Sequence, residues 1–239
     1  MSEKKKLVPK RRFKEFENAD PWEQRKLGKL ADFSTGYGYT KSDLKKSGTP
    51  IILYGRLYTS YQTIIKKVDT FADVISGAVF SEGGEVILPS SGETSEDIAI
   101  AASVDTPGFL LGGGLNIVNP SNKLRSVFLA LEISYGHPHI ELAKKAQGKS
   151  VVHLYNEDLK EVKISFPTIE EQMKISQLFE NIDNQITLHQ RAHLTIYYKG
   201  VVKWLIKLEK PTYLLIIILN GLKFIKKALL EKLRCQNIE

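Results

Sequence analysis

The 239-residue chain reads as an α+β protein: a mixed domain of many short strands and a few helices, followed by a long helix of coiled-coil type. Three observations predict this. Between Trp22 and Phe166, short apolar pieces are divided by Gly, Pro, Ser and Asn, the pattern of strands and turns. At Pro167 the spacing changes to apolar residues at alternating steps of four and three. Hydrophobic residues make up 42% and charged residues 26%, enough apolar content for a core at this length and too much for a disordered chain.

Residues 1–20 carry seven basic and four acidic side chains and are expected to form a basic flexible tail. The strand-rich domain spans 21–166. Ile51-Ile52-Leu53-Tyr54, Thr63-Ile64-Ile65, Ala78-Val79-Phe80 and Glu85-Val86-Ile87-Leu88 read as strands, the last ending in a turn at Pro89-Ser90-Ser91-Gly92. Thr94-Ser95-Glu96-Asp97 can cap a short helix through Ile98–Ala102, with a carboxylate three residues after the Thr favouring the exposed amides. Leu115–Val118 is a strand closed by Asn119-Pro120, and Ser126–Tyr135 is apolar at helical spacing. Val151–Tyr155 and Val162–Phe166 complete the domain as strands.

Residues 167–239 form a helical region. Thr168-Ile169-Glu170-Glu171 has the form of a capping box, with Thr168 as N-cap and Glu171 three residues on. Ile175, Phe179, Ile182, Ile186, His189 and His193 then recur at alternating steps of four and three, the 3.5-residue repeat of a helix packing along another helix. These six are the candidates for helix packing, dimer formation or partner docking. Beyond Gly200 the seam is lost: Lys210-Pro211 interrupts any helix, Tyr213–Leu219 is an isoleucine-rich run, and Leu222–Leu233 resumes helical periodicity.

No stretch reaches about 18 consecutive apolar residues, so no transmembrane helix is expected, and the basic start lacks the apolar run of a signal peptide. The single cysteine, Cys235, cannot form an internal disulfide, which suits a cytoplasmic location. Net charge is +7, unevenly placed. Residues 36–67 hold six basic side chains against Asp43 alone, whereas residues 68–122 hold eight acidic side chains and no Lys or Arg.

The search for catalytic motifs returns none. Gly148-Lys149-Ser150 ends like a P-loop, but the required earlier glycine falls on Ala143. Gly112-Gly113-Gly114 lacks the frame of a dinucleotide-binding turn. Asn119-Pro120-Ser121-Asn122 lacks the second proline and the aromatic of an adenine methyltransferase motif. His189 and His193 enclose Gln190 where a zinc protease needs Glu, and His137 and His139 flank Pro138 in an expected loop with no ligand cluster. Asp158, Lys160 and Glu161-Val162-Lys163 read as the solvent face of a strand rather than a nuclease centre. No metal or cofactor is expected in this chain.

The positive segment offers a different chemistry. Tyr37, Tyr39, Tyr54, Tyr58 and Tyr61 interleave with Lys41, Lys45, Lys46 and Arg56, and Thr40 and Thr59 add hydroxyls. Lys and Arg neutralise phosphates, while Tyr and Thr supply short hydrogen bonds to backbone or base edges. The candidate DNA-binding set is therefore Tyr37, Tyr39, Thr40, Lys41, Lys45, Lys46, Arg56, Tyr58, Thr59 and Tyr61. Arg56 is the best single candidate for base readout, since guanidinium can grip guanine bidentately. The plainer alternative makes Tyr54 a core residue and leaves the lysines merely solvated.

Several strings occur together in a familiar order: Trp22-Glu23-Gln24-Arg25-Lys26-Leu27-Gly28, the segment Ser34–Tyr61, Ile87–Thr94, His153-Leu154-Tyr155, and Phe166–Gln172 with Ile175. Phe179, Asp183, Ile186, His189, Gln190 and Arg191 continue the series. Over roughly Phe13–Arg191 the chain resembles one half of a specificity subunit of a type I restriction–modification system, with a single target recognition domain followed by a conserved helix. The resemblance implies a non-catalytic subunit that binds double-stranded DNA and docks modification (methyltransferase) and restriction subunits. Those partners would carry the S-adenosylmethionine, ATP and Mg chemistry. A half-subunit is expected to dimerise to read a bipartite site. The segment 192–219 departs from the family's Lys/Leu-rich helix. The alternative is a truncated structural partner that binds modification subunits through its helix and reads no DNA.

Overall fold

The computed structural model describes residues 7–9, 12–146 and 151–185. Its strands are β1 (Glu23–Lys26), β2 (Ala31–Thr35), β3 (Thr49–Ile52), β4 (Ile64–Ile65), β5 (Phe71–Ala72), β6 (Glu85–Pro89), β7 (Ser91–Gly92), β8 (Ala102–Val104), β9 (Leu110–Leu111), β10 (Leu115–Pro120), β11 (Val152–His153) and β12 (Lys163–Phe166). The helices are α1 (Arg56–Thr59), α2 (Ser95–Ile98), α3 (Ser126–Tyr135), α4 (His137–Lys145), α5 (Asn156–Glu161) and α6 (169–185). The chain divides into two units, Met1–Asn181 and Ile182–Glu239. Of the second, residues 182–185 are described and are helical.

The continuous apolar run of β6 predicts a strand covered on both faces, and β6 lies inside a five-stranded mixed sheet in the order β2-β10-β6-β8-β4. Strand alternation divides its side chains between two cores. Val86 and Leu88 join Val118 of β10 and Phe128, Leu129 and Ile133 of α3 on one face. Ile87 points the other way, to Leu115 and Ile117 of β10 and to Ile52 of β3. The three-stranded sheet β5-β3-β9, antiparallel at β3–β5 and parallel at β3–β9, lies over this second core. A smaller third core gathers Tyr39, Ile51, Ala72 and Leu110. Strand β1 pairs with β12 antiparallel, Glu23 opposite Phe166, so the domain's first and last strands lie side by side.

Helix α6 begins where the capping box is expected, but Glu171 does not close that box. It turns inward, 1% exposed, and accepts from Arg12 Nε (2.8 Å) and Nη2 (2.6 Å). The Arg12 guanidinium also donates to the carbonyls of Ala19 and Asp20. A guanidinium can satisfy all of these acceptors at once, and this is stronger than a single amide bond at the helix end. The Thr168 side chain instead bonds Glu170, whose carboxyl is held below its ordinary range by its own backbone amide first and by Thr168 second. Next to Glu171, the fully buried Gln172 accepts from Arg125 N (2.8 Å) and donates to the carbonyls of Lys123 (3.0 Å) and Pro167 (2.9 Å). Residues 12–20, expected within a flexible tail, are thus docked on α6, with Lys174 pairing Glu15 at 3.1 Å.

Other expectations also shift. Ala78-Val79-Phe80 is no strand: Gly77 at φ +79° turns the chain, and only a Phe80–Leu110 bridge forms. Thr94 does cap a helix, accepting from Asp97 N at 3.0 Å, but α2 ends at Ile98 because Ala102 is drawn into pairing with Ile87. Strand β7 occupies part of the expected Pro89–Gly92 turn, paired with β11. His137 and His139 open helix α4 rather than a loop, with Pro138 in its first turn, where a missing N–H has no consequence. His137 pairs Glu141 at 3.3 Å, and His139 Nδ1 donates to the Ala99 carbonyl at 2.9 Å. Asp158, Lys160 and Glu161 lie on helix α5, not on a strand.

Two stability outcomes follow. Glu171→Ala should lower the urea midpoint by leaving the Arg12 guanidinium without its counter-charge, while Arg12→Met with Glu171→Met should recover only part of that loss, because the carbonyls of Ala19 and Asp20 then lack their donor. Glu132 of α3 is largely buried, and burial pushes its carboxyl up to about 7. The folded state keeps a proton that the unfolded chain has lost, so this group's contribution to stability falls as pH rises from the ordinary carboxyl range through 7. Glu132→Gln should therefore gain up to roughly 3 kcal/mol over the natural chain above that window and little below it.

Candidate nucleic-acid interface

Strand β2 leads into a tight corner at Gly36, where a Cβ would stand 2.0 Å from the Gly112 carbonyl oxygen. The corner is stitched to the glycine loop by Tyr37 N to Leu111 O (3.0 Å) and Gly113 N to Gly38 O (2.7 Å). Gly112-Gly113-Gly114 is thus a place of close backbone packing. The chain then makes a short 3-10 turn (Lys41–Asp43), braced by the Asp43 carboxylate accepting from Thr40 N at 2.6 Å and Thr40 Oγ1 at 2.9 Å. These bonds hold the Asp43 carboxyl below its usual range. After β3, the ring of Tyr54 lies over Gly114, whose φ of +77° and lack of Cβ make room for it.

Between this segment and Ser91-Gly92-Glu93 lies a cleft of about 890 Å³. Lys41, Tyr54, Arg56, Tyr58, Thr59, Asp69 and Thr70 also line it. Tyr58 Oη donates to the Ser91 carbonyl at 3.0 Å, tying α1 to the opposite wall, and burial pushes that hydroxyl well above its ordinary value. Thr59 Oγ1 donates back to Gly55 O at 3.0 Å. Asp69 comes from the turn before β5 and is anchored there: Thr70 Oγ1 donates to Ile51 O (2.6 Å), and Ile51 N donates to Thr70 O (2.9 Å).

The candidate residues fall into distinct groups. Tyr37, Thr40, Lys41, Lys45, Lys46, Tyr58 and Thr59 are exposed. Tyr39 is not: 8% exposed, in the left-handed region at φ +54°, it donates to Asp73 O (3.0 Å) and accepts from Ile75 N (3.1 Å). Tyr61 packs on the second core and donates to Ala101 O at 3.0 Å. These two tyrosines hold the fold, and their hydroxyls are not offered to a ligand. Tyr54, which the plainer alternative puts in the core, is 41% exposed on the cleft wall. Arg56 is only 15% exposed; its Nη1 donates to Asp69 at 2.8 Å and its Nη2 to Gln62 at 3.4 Å. The guanidinium is therefore committed within the protein. Lys45 pairs with Asp73, whereas Lys41 and Lys46 form no ion pair among the described residues.

The fold thus interleaves the basic and acidic stretches that the sequence keeps apart. Asp69 and Glu93, from the acidic stretch, share the cleft with Lys41 and Arg56. The only sequence signal for this was the contrast of signs between the two stretches. Nothing local identified Asp69, because its position comes from the pairing of β3 with β5, through Pro50 opposite Phe71.

On α6, Ile175 packs against the larger core, while Phe179 (40%) and Ile182 (43%) are exposed. Ile186, His189 and His193 lie outside the described residues, as do 192–219 and Gly148-Lys149-Ser150. Among the described residues, no group of His, Cys, Asp and Glu is placed to hold a metal ion, and no helix is long and apolar enough to cross a membrane.

No curated protein matches the sequence. Solved structures do. The specificity subunit HsdS from Thermoanaerobacter tengcongensis superposes with a TM-score of 0.50 at 19% identity, over 72% of this chain and 39% of that one. A type I restriction–modification system S subunit from M. genitalium gives 0.53 at 16% identity, over 76% of this chain and 42% of that one. A third structure, solved in work on complex assembly and conformational transition of the type I R-M system, gives 0.52 at 18% identity, over 72% and 40%. At such identities the likeness is one of fold, and the chain spans about two fifths of the length of each. A family model, the type I restriction modification DNA specificity domain, matches residues 19–196. That match runs from before β1, across the whole cleft and past the described end of α6, and the chain belongs to this family of DNA specificity domains.

Proposed function

We propose that the chain is the sequence-specific DNA recognition subunit of a type I restriction–modification system. It directs modification (methyltransferase) and restriction subunits to a bipartite target and is itself non-catalytic. S-adenosylmethionine, ATP and Mg belong to the partners. The observation that carries this reading is the specificity-domain match, which takes in the entire cleft-bearing segment. Lys41 on the cleft and the exposed Lys46 close to it in sequence have no ion pair among the described residues and are suited to neutralising phosphates. Tyr54 and Tyr58 present ring faces on the cleft wall. One recognition domain reads one half of a split site, so two chains serve the whole, joined through the helix. The exposed Met173, Leu178 and Phe179 on α6 support docking through that element, whether with a second copy or a modification subunit.

Co-expression with the cognate modification subunit, followed by genome-wide mapping of methylated bases, tests this. The expected result is methylated adenine within a two-part sequence; methylation of no defined sequence overturns the reading. Lys41→Ala with Lys46→Ala should weaken binding about equally for all sequences and lower the slope of log K against log salt by about 2. A helix-docked partner that reads no DNA would be unaffected.

A further inference from the structure

Asp69 is unexpected on a face that meets a polyanion. Its side chain is 87% exposed, and a carboxylate there repels phosphate. Yet the fold holds it firmly. Arg56 Nη1 donates to Oδ1 at 2.8 Å from a guanidinium that is itself mostly buried. Gln62 braces the other arm of that guanidinium at 3.4 Å, and Arg56 Nε is buried with no hydrogen-bond partner among the described residues. The neighbouring Thr70 is locked to Ile51 through both a backbone and a side-chain bond. An exposed surface pair between two long, free side chains contributes little and wanders. Here one partner is short and the other immobilised, so the carboxylate sits at a fixed place on the cleft wall.

We propose that Asp69 is a specificity-determining residue of the DNA-reading face. It accepts a hydrogen bond from an exocyclic amino group, N4 of cytosine or N6 of adenine, and Arg56 is the positioning residue that aims it. This rests on the DNA-recognition function proposed above. The chemistry follows from the inventory of base edges: in the major groove only cytosine and adenine present an amino donor, and an ionised carboxylate can only accept. Guanine and thymine would set carbonyl oxygens against it, so one carboxylate rejects two bases by repulsion as well as choosing two by attraction. Arg56 stands behind Asp69, supplying the counter-charge that keeps the carboxyl ionised and below its usual range. The assignment reverses the roles suggested by sequence, where Arg56 was the base reader.

Selection of bound duplexes from a randomised library by the full-length chain with its modification subunit tests the inference. The natural chain should enrich a defined motif; because every base pair carries one amino donor in the major groove, the position Asp69 reads is the one that its substitution changes. Asp69→Asn, close in size and able to donate as well as accept, should relax or change that position alone, with discrimination falling on the order of tenfold or more. Arg56→Lys should blur the same position and leave the others intact, which loss of a merely structural pair would not do. Thermal melting of each variant establishes that it is folded. If both variants enrich the natural motif unchanged at every position, the role of Asp69 is overturned while DNA reading stands. If the natural chain enriches no sequence, DNA reading itself is overturned, and this inference falls with it.

Discussion

A buried guanidinium–carboxylate pair, Arg12 with Glu171, joins the segment before the first strand to the first turn of the last described helix. Both groups are removed from water, which is tolerable only because each is fully engaged: the carboxylate takes two N–H donors, and the guanidinium also serves two backbone carbonyls. Gln172 adds an amide with a donor and an acceptor in use, reaching residues 123–125 ahead of α3. One helical turn therefore gathers the N-terminal segment, the β10–α3 loop and the end of β12. Further along α6, Glu180 meets Lys66, beside the edge strand β4, in a surface pair at 2.6 Å that adds little to this anchoring. The direction in which α6 leaves the sheet follows from these polar contacts, since it buries mainly Ile175 against the larger core.

The cleft depends on a different constraint. Its floor and walls come from segments distant in sequence, brought together by strand pairing and by backbone contacts at which side chains would not fit. Gly36 against Gly112 and Tyr54 over Gly114 place the basic segment on the glycine loop. The Tyr58–Ser91 bond then sets the opposite wall. Of the interleaved tyrosines, some are structural and some face the opening, and the difference is decided by partners inside the fold rather than by residue type.

Much of the fold was legible because hydrophobic spacing is a local signal. Helix α3 occupies the predicted Ser126–Tyr135, and β6 and β10 contain the predicted apolar cores. Thr94 and Thr168 mark helix starts, as hydroxyl side chains before helices do. Strands β1 and β2 were missed because Glu23–Lys26 is wholly exposed and polar, and β2 is mostly so; both exist through pairing with β12 and β10. The α4 segment was mistaken because Pro138 reads as a breaker unless its position in the first turn is known. In the candidate site, residue types were legible but their burdens were not. Arg56 and Tyr39 carry the same chemistry in the sequence as Lys41 and Tyr54. Only long-range partners, Asp69 from across the sheet and the Asp73 carbonyl, distinguish a committed side chain from a free one.

The pairing of β1 with β12 has a consequence for how such a domain can change. Neighbouring strands lie about 4.8 Å apart, so the 136 residues lying between Lys26 and Lys163 leave and return at almost the same point. Surface segments between them can lengthen, shorten or be exchanged without pulling the two strands apart, as insertions between closely spaced ends are generally tolerated, provided residues 123–125 keep their bonds to Gln172. The zipper of Glu23–Lys26 with Lys163–Phe166 acts as a socket. It is built from backbone bonds that any side chains can make, and so leaves the reading surface free to vary on an unchanging mount.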